Sequence, residues 1–597
     1  MAVGTLIEPV ADPRASLNVE KPHYNDGKRV FGFAARVDPT VTFEEYQYYA
    51  EIQRAAEHEE NKRYVEERGP MTFTKLIKGR FSKGVHQERA EREAREEQNK
   101  TAVAGFNKET EAGNVSPSSD SVNTEEEWKQ AARGMRTASW GTIFYIITTD
   151  ILGWGSTPYV FANVGWGLGV SMYVLFGVAA ALSGWMIWKV FLGLDSLHYP
   201  MSSFGDTYFR VYGPFWRHAI NIFQALQQFM TVAVIIVGNA QIIAQLNPKI
   251  CFIVCMLITM IIGCILGSIR SLQRLGWLCN ASVWLNIVSF IIVMVSAANY
   301  GIDYEFVFNS TLLKDVMPVR TFAGPPPDAY QMSAYGTAAT MSGVNSMVYS
   351  YGGALLFVAF LAEMRHPWDF WKGMLAAQSF ICVVYIFFGA FVYGFYGQYS
   401  SSSITQVTAM KGLQVAGNIF GLLTAFIACF LYFNIGLKTV YLEVGQEILN
   451  LPALTTKKGK LLWYALGPLY WILAFIVAAA VPNLSGISNL VGSLMILNFT
   501  YTFPAFLYLG YRIQVDAKLP GEGFDPVTRV TTRHDNGYKR WIRGFTVSWH
   551  INLLSLLYGL GGAACCGLGA WAAITSLMEL FGPGGTVATS FGCASPV

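Results

Sequence analysis

From residue 139 to residue 578 the chain is a succession of apolar runs, most of them near the length that spans a bilayer core as a helix, about 20 residues. Eleven spans are expected: 139–163, 167–192, 215–246, 250–269, 274–299, 341–363, 373–397, 413–437, 461–481, 485–510 and 548–578. Several are long enough to need tilt or to extend past the bilayer. The fold class this implies is an all-α polytopic membrane protein. Charge is segregated to match, for only 14% of the 597 residues are charged, against about 25% in soluble domains, and residues 1–135 are rich in Glu, Lys and Arg.

Three regions follow: a cytoplasmic, largely disordered tail over 1–135, a transmembrane domain over 136–580, and a short extracellular tail over 581–597. The first tail holds one charged helix, "TFEEYQYYAEIQRAAEHEENKRYVEE", where Thr42 and Glu45 fit a capping box. Beyond it, "ERAEREAREEQNK" and "EAGNVSPSSDSVNTEEE" read as solvated segments that offer a surface to cytoplasmic regulatory proteins and carry no chemistry of their own. The first 30 residues lack the continuous apolar core of a signal peptide, so the first span is expected to direct membrane insertion.

Orientation follows from the cations. With the N-terminus inside, inner connections at Arg210, 270–274, 365–372, 438–460 and 512–543 hold sixteen Lys and Arg, whereas the outer side holds Lys249, Lys314, Arg320 and Lys411. That asymmetry obeys the positive-inside rule, and shifting the parity by one helix inverts it. The long outer loop, 300–340, contains "NST" at Asn309, a glycosylation acceptor on the side where one could be used. Eight of nine cysteines fall in apolar segments and only Cys593 lies outside, so no disulfide is expected. No CxxC pair and no His cluster at ligand spacing supports a metal site, and no cofactor or nucleic acid is implied.

Two spans interrupt themselves. The first carries "DILGWGSTP", and the sixth carries "YSYGGALL". Transporters built from inverted repeats place their site at mid-bilayer, between corresponding helices of the two halves that are broken by Gly or Pro. If five spans form one repeat and the next five its inverted partner, spans one and six correspond. Freed backbone groups in lipid are tolerated only where they are buried in protein or line a cavity, and a zwitterion can supply their partners. Amides at a half-helix N-terminus suit a carboxylate, and unwound carbonyls suit an ammonium group. Substrate contacts are therefore expected from Gly153, Trp154, Gly155, Ser156 and Thr157 in the first break, and from Tyr349, Ser350, Tyr351, Gly352 and Gly353 in the second.

"TTDILGWGSTPYVFANVGWGLGV" and "YGGALLFVAFLAEMRHPWDFWKGMLAAQSFICVVYIFFGAFVYGFYG" resemble the amino acid/auxin permease family, most nearly its fungal neutral amino acid permeases. The family's sixth helix ends in Glu-Met followed by Pro, Asp and Phe, matched here by Glu363, Met364, Pro367, Asp369 and Phe370. The resemblance covers about residues 130–580 and implies a leucine-transporter type fold with 5 + 5 inverted repeats and broken helices 1 and 6. It implies transport of amino acids, usually with protons, by alternating access across the plasma membrane or the vacuolar membrane. Relatives typically show Gly-Ile-Leu-Ser-Leu-Pro after the break, whereas Gly155 here is followed directly by Ser156, Thr157 and Pro158, so side-chain specificity does not carry over. Resembling permeases often have an acidic residue five positions before the second glycine, where Asp150 stands, and an ionisable group at membrane depth points to proton coupling.

Glu363 and Glu443, near the inner ends of their spans, read as gate or packing residues, and Gln224, Gln227, Gln228 and Asn434 as hydrogen-bonded contacts between helices. Trp154, Tyr159, Phe161, Tyr349 and Tyr351 hint at an apolar side-chain pocket. A membrane enzyme is disfavoured because no nucleophile, base and orienting group share one depth. The rival reading is a transporter-like amino acid receptor that signals through its long tail.

Overall fold

The computed structural model describes residues 38–69, 136, 138–151, 153–267, 276–446, 449, 451–452, 457–582 and 586–595; the side chains of several helical residues, Asp150 among them, lie outside that description. Helix α1, Phe43–Arg68, is the tail helix. The bundle comprises α2, Trp140–Ile151; α3, Thr157–Leu194; α4, Phe204–Tyr212; α5, Pro214–Leu246; α6, Phe252–Gly267; and α7, Gly276–Asn299. It continues with a short helix α8, Tyr304–Ser310; α9, Thr337–Ser350; α10, Phe357–Glu363; α11, Phe370–Tyr396; α12, Lys411–Thr439; and α13, Lys457–Ala480. Then come α14, Leu484–Val491; α15, Phe503–Asp516; a hairpin of β1, Gly523–Asp525, and β2, Val530–Thr532; α16, Tyr538–Val547; and α17, Trp549–Leu580.

Among the described residues, eight helical stretches are long and apolar enough to cross a membrane, and Phe252–Gly267 and Trp284–Asn299 are shorter apolar helices. Their order follows the apolar runs of the sequence. The first long stretch, Trp154–Leu194, is two helices joined at Gly165, whose φ of +79° only glycine adopts cheaply. A Cβ there would stand 2.1 Å from the carbonyl oxygen of Gly324, because the 300–336 loop lies against this turn. Trp166 and Gly167 donate to the carbonyls of Phe322 and Ala323 at 2.9 and 2.8 Å. The proline-rich loop is thereby built into the fold.

Helix α3 packs on α9 and α11, α2 packs on α11, and α5 packs on α12 and α6. Small residues permit the closest approaches: a Cβ at Gly373 in α11 would lie 2.5 Å from the Trp140 carbonyl. Helices α14 and α15 are joined by two π-helical turns, Gly492–Ile496 and Asn498–Thr502, so Leu484–Asp516 is one continuous but irregular helix. Such turns leave i to i−4 partners mismatched and often mark functional positions.

The two faces of the bundle differ. One holds α1, the β hairpin and α16. On the other, Cys251 and Cys593 form a disulfide with Cα atoms 4.5 Å apart, closing 342 residues. The expectation of no disulfide is corrected, because Cys251 stands just before α6, outside the apolar helix, where the returning C-terminal tail reaches it. The same tail is knitted down by Val587 N–H on the Asn309 carbonyl, Phe591 N–H on Ala479, and Ser590 Oγ on Ala480. Asn309 itself sits half-buried near the end of α8.

Candidate functional site at the two helix breaks

Helix α2 stops at Ile151. Gly153, at φ −103° and ψ 66°, is not helical, and a single 3-10 turn over Trp154–Ser156 starts the next half-helix, with Pro158 in its first turn. Proline fits there because the missing N–H has no intrahelical partner in any case. In the sixth span α9 stops at Ser350, Tyr351 and Gly352 are non-helical, and a 3-10 turn over Ala354–Leu356 leads into α10. Both expected breaks are present, in corresponding spans. At Gly352 a Cβ would meet Ile496 at 2.5 Å, so the second break is pressed against the π-helical part of Leu484–Asp516.

The breaks meet directly. Ser156 Oγ and Ser350 Oγ are 3.3 Å apart. Tyr385, buried in α11, ties the backbones together: its hydroxyl oxygen is 2.6 Å from the Ile151 carbonyl oxygen and 2.7 Å from that of Ser350, and it accepts from Gly153 N–H at 3.0 Å. Ile151 and Ser350 are the last residues of α2 and α9, so two helix C-termini, each carrying partial negative charge, converge on one hydroxyl. That hydroxyl has one proton to offer two carbonyls. The point therefore has a surplus of acceptors and suits a cationic donor. On the other side of each break, the amides of the new half-helix open a first turn whose N–H groups have no partner within the helix, which suits an anion.

The other expected residues divide. Trp154 is buried and packs edge-on against Phe290 and Phe388, and Thr157 Oγ1 donates to the Trp154 carbonyl at 2.8 Å. Tyr351 turns away, its hydroxyl donating to the Tyr173 carbonyl at 2.9 Å while its ring packs on Tyr173 and Tyr385. Tyr159 and Phe161 stand outward of the first break. Tyr159 Oη is 2.6 Å from Ser333 Oγ and 3.1 Å from Ser342 Oγ, and Phe161 stacks on Tyr173 and Tyr393.

A polar ladder missed in the sequence rises from here. Asn489 Nδ2 donates to Ser342 Oγ at 2.5 Å, Ser346 Oγ donates to Asn489 Oδ1 at 2.9 Å, and Ser350 Oγ donates to the Ser346 carbonyl at 2.9 Å. It links Tyr159 to the serine pair between the breaks. Tyr159, Gln241, Ser310, Ser333, Ser402 and Asn483 line a small polar cavity above it.

Glu443 is buried against Arg217 at 2.5 Å and Asn221 at 2.8 Å. Glu363 offers its backbone carbonyl to Ala138 N–H at 3.0 Å. The interhelical hydrogen bonds expected of the glutamine cluster do not form at its acceptor atoms: among the described residues the side-chain oxygens of Gln224, Gln227 and Gln228 meet no donor. Asp150 occupies the last turn of α2. Among the described residues no group of His, Cys, Asp and Glu is arranged to hold a metal ion.

Half-helices that end and restart at two facing breaks, inside a bundle of membrane-length helices, are the arrangement by which inverted-repeat transporters build a central site. The chain belongs to the family of transmembrane amino acid transporter proteins, whose sequence profile matches residues 136–518. It is similar to a transmembrane transporter of Gibberella moniliformis, 25% identical over 248 residues, covering 40% of this chain and 48% of that one. It is also similar to the N amino acid transport system protein of Neurospora crassa, 24% identical over 254 residues, covering 42% and 47% respectively. The chain thus spans about half the length of these curated relatives. Among solved structures, the Eremococcus coleocola manganese transporter matches 77% of this chain and 97% of its own at 14% identity, with a TM-score of 0.37.

Proposed function

We propose that the protein is a secondary active transporter that imports a neutral amino acid with a proton by alternating access, and that the substrate's charged groups are held by the two breaks. The observation that carries this reading is the convergence of the Ile151 and Ser350 carbonyls on the Tyr385 hydroxyl, an acceptor-rich point between two helix C-termini. An ammonium group satisfies it. The carboxylate goes to the amides that open the half-helices at Trp154–Ser156 and Ala354–Leu356. Gly153, Gly155, Gly352 and Gly353 let the backbone approach, and the Ser156 and Ser350 hydroxyls bridge between the two charges.

Asp150 is the proposed coupling carboxylate. A charged aspartate near mid-bilayer costs about 2.5–3.5 kcal/mol by insertion scales, so an ionisable group at that depth marks a functional position, here the one that carries the proton inward with the substrate.

The proposed orientation puts α1 and the hairpin in the cytosol and Asn309 and the C-terminal tail outside, in the plasma membrane. Two independent features support it: the distribution of Lys and Arg among the connections, and a disulfide on the opposite face, since such bonds persist in oxidising compartments. The test is competition for uptake by all twenty amino acids, their esters and their N-acylated forms. Esters and N-acyl derivatives should compete poorly, and equal competition by both would remove the site from the breaks.

The receptor reading draws on one observation, that α1 is docked on the bundle instead of hanging free. Counterflow of labelled amino acid in proteoliposomes separates the two, because a receptor gives none.

A further inference from the structure

We propose that α1 is a latch on the inner mouth: it pins the base of the half-helix α2, and its release is required before substrate can leave toward the cytosol. The inference rests on the transport reading and on the orientation given above. Helix α2 has only 12 residues and is separated from the rest of its span by the Gly153 break, so it can swing only if its far end is let go. That end is held by α1.

Arg136, four residues before α2, reaches Asp195 at 2.7 Å and Glu57 of α1 at 3.2 Å. Asp195 caps the end of α3, is fully buried, and also receives Arg54 of α1 at 3.1 Å and the Met201 N–H at 3.0 Å. Arg54 closes the cluster on Glu57 at 3.0 Å. Two charges from α1 therefore complete a buried quartet with one charge from the base of α2 and one from the end of α3.

A second attachment lies beside the first. Ala138 pairs with the segment after α10, donating to the Glu363 carbonyl and accepting from Arg365 N–H, both at 3.0 Å. The Arg365 guanidinium lies 3.4 Å over the ring of Tyr64 and donates to Asn61 Oδ1 at 3.1 Å, both on α1. His58 and His366 nitrogens are 3.2 Å apart at the same junction. The bases of both broken helices are thus held by one side of α1.

The start of α1 is fixed to a different element. Glu44, 2% exposed, accepts from Arg533 and Arg540 of the 517–547 segment, and Lys518 donates to Gln47 at 2.6 Å. Tyr199, after α3, donates to Glu45 at 2.7 Å. Helix α1 accordingly spans the ends of α2, α3, α10 and α15.

The start of α1 is also anchored by apolar packing, with Phe43, Tyr46 and Ala50 buried. Its hold on the bases of the broken helices is instead ionic and polar, and that makes this end reversible. A buried ion pair gains little over its hydrated parts, because separation returns each charge to water. Burial pushes the Glu57 carboxyl up and the Arg54 guanidinium down from their ordinary values. At Asp195 and Arg136 burial is outweighed by the neighbouring opposite charges, which hold Asp195 below and Arg136 above theirs, so the α1 partners are the weaker half of the cluster. An apolar interface would hold without such a release.

The test uses the full chain in proteoliposomes, with the loosening substitutions confined to α1. In Glu57→Gln/Asn61→Ala, a cysteine placed by Ser139→Cys at the base of α2 should react with a membrane-impermeant maleimide several-fold faster from the cytoplasmic side than in Ser139→Cys alone. Counterflow should speed up at unchanged KM. Conversely, His58→Cys/His366→Cys joined by a reducible bifunctional thiol reagent should stop counterflow, and reductant should restore it, with each single cysteine variant as control. The labelling readout requires no transport, so it judges the latch even if the transport reading fails. Unchanged labelling in a variant of normal thermal stability, or undiminished counterflow in the cross-linked protein, overturns the proposal.

Discussion

Ser156 and Ser350 lie 194 positions apart in the chain, yet their hydroxyl oxygens are 3.3 Å apart. Each stands at the edge of a helix break, and Tyr385 joins the same two breaks through the backbone. A small ligand placed there touches both halves of the bundle at once, as coupling between the halves requires.

Removing the Tyr385 hydroxyl should weaken substrate binding with little effect on assembly. Tyr385→Phe leaves the ring packing on Tyr173 and Tyr351 but deprives two buried carbonyls and the Gly153 amide of their shared partner. In the proposed complex the hydroxyl holds both carbonyls toward the ammonium, and losing a buried hydrogen bond of this kind costs about 1–3 kcal/mol, so KM should rise on the order of tenfold. Uptake kinetics at matched surface expression check this. A wild-type KM would mean that the hydroxyl only fills space.

Asp150→Asn should abolish proton-driven accumulation while sparing exchange, because the amide keeps the shape but cannot titrate. The comparison is between net uptake under an imposed pH gradient and exchange without one. If the variant still concentrates substrate with wild-type dependence on external pH, another group carries the proton.

Cys593 should resist an impermeant thiol reagent in intact cells and become reactive only after reduction, since its sulfur is bonded to Cys251. Cys593→Ser should lower unfolding stability by about 2–4 kcal/mol, as loss of a long-range cross-link does. Ready labelling without reductant would contradict the disulfide.

Acid should loosen the hairpin in a defined window. Burial raises the Glu522 carboxyl, but the Leu519 and His534 amides and the Arg540 guanidinium outweigh it and hold it at about 2. A depressed folded value means that the contribution is complete above the unfolded carboxyl value, about 4.3, and is lost as pH falls toward the folded one. The difference in thermal stability between wild type and Glu522→Gln should therefore be constant from pH 7 to about 5 and shrink below about 4. A difference that persists unchanged in stronger acid would assign Glu522 a role independent of its charge.

Much of the architecture was legible because lipid leaves so few options. Apolar runs fixed the order of the helices, and Gly153, Gly155, Gly352 and Gly353 marked the breaks because glycine and polar residues rarely coincide at that depth. Thr42 caps α1 as its sequence suggests, accepting from Glu45 N–H at 3.4 Å. The capping box does not close as expected, since the Glu45 carboxylate accepts from the Tyr199 hydroxyl. Tyr385 was illegible: one of 30 tyrosines, it sits in an apolar helix where its hydroxyl leaves no periodic signal. The docking of α1 was hidden for a different reason, because Asp195, Arg365 and Arg533 are 141, 304 and 489 residues from their partners. No local pattern encodes such distances.

The Cys251–Cys593 bond also makes the chain its own auditor during membrane insertion. Cys593 leaves the ribosome 342 residues after Cys251, once the helices between the two sulfurs have been made. The sulfurs can meet only if an even number of crossings separates them. One helix missed or one added strands Cys593 on the opposite side of the membrane from Cys251, and the thiol stays free. Oxidation at this single pair thus records the parity of the whole intervening passage, so a misthreaded molecule differs chemically from a correct one before either has moved a substrate.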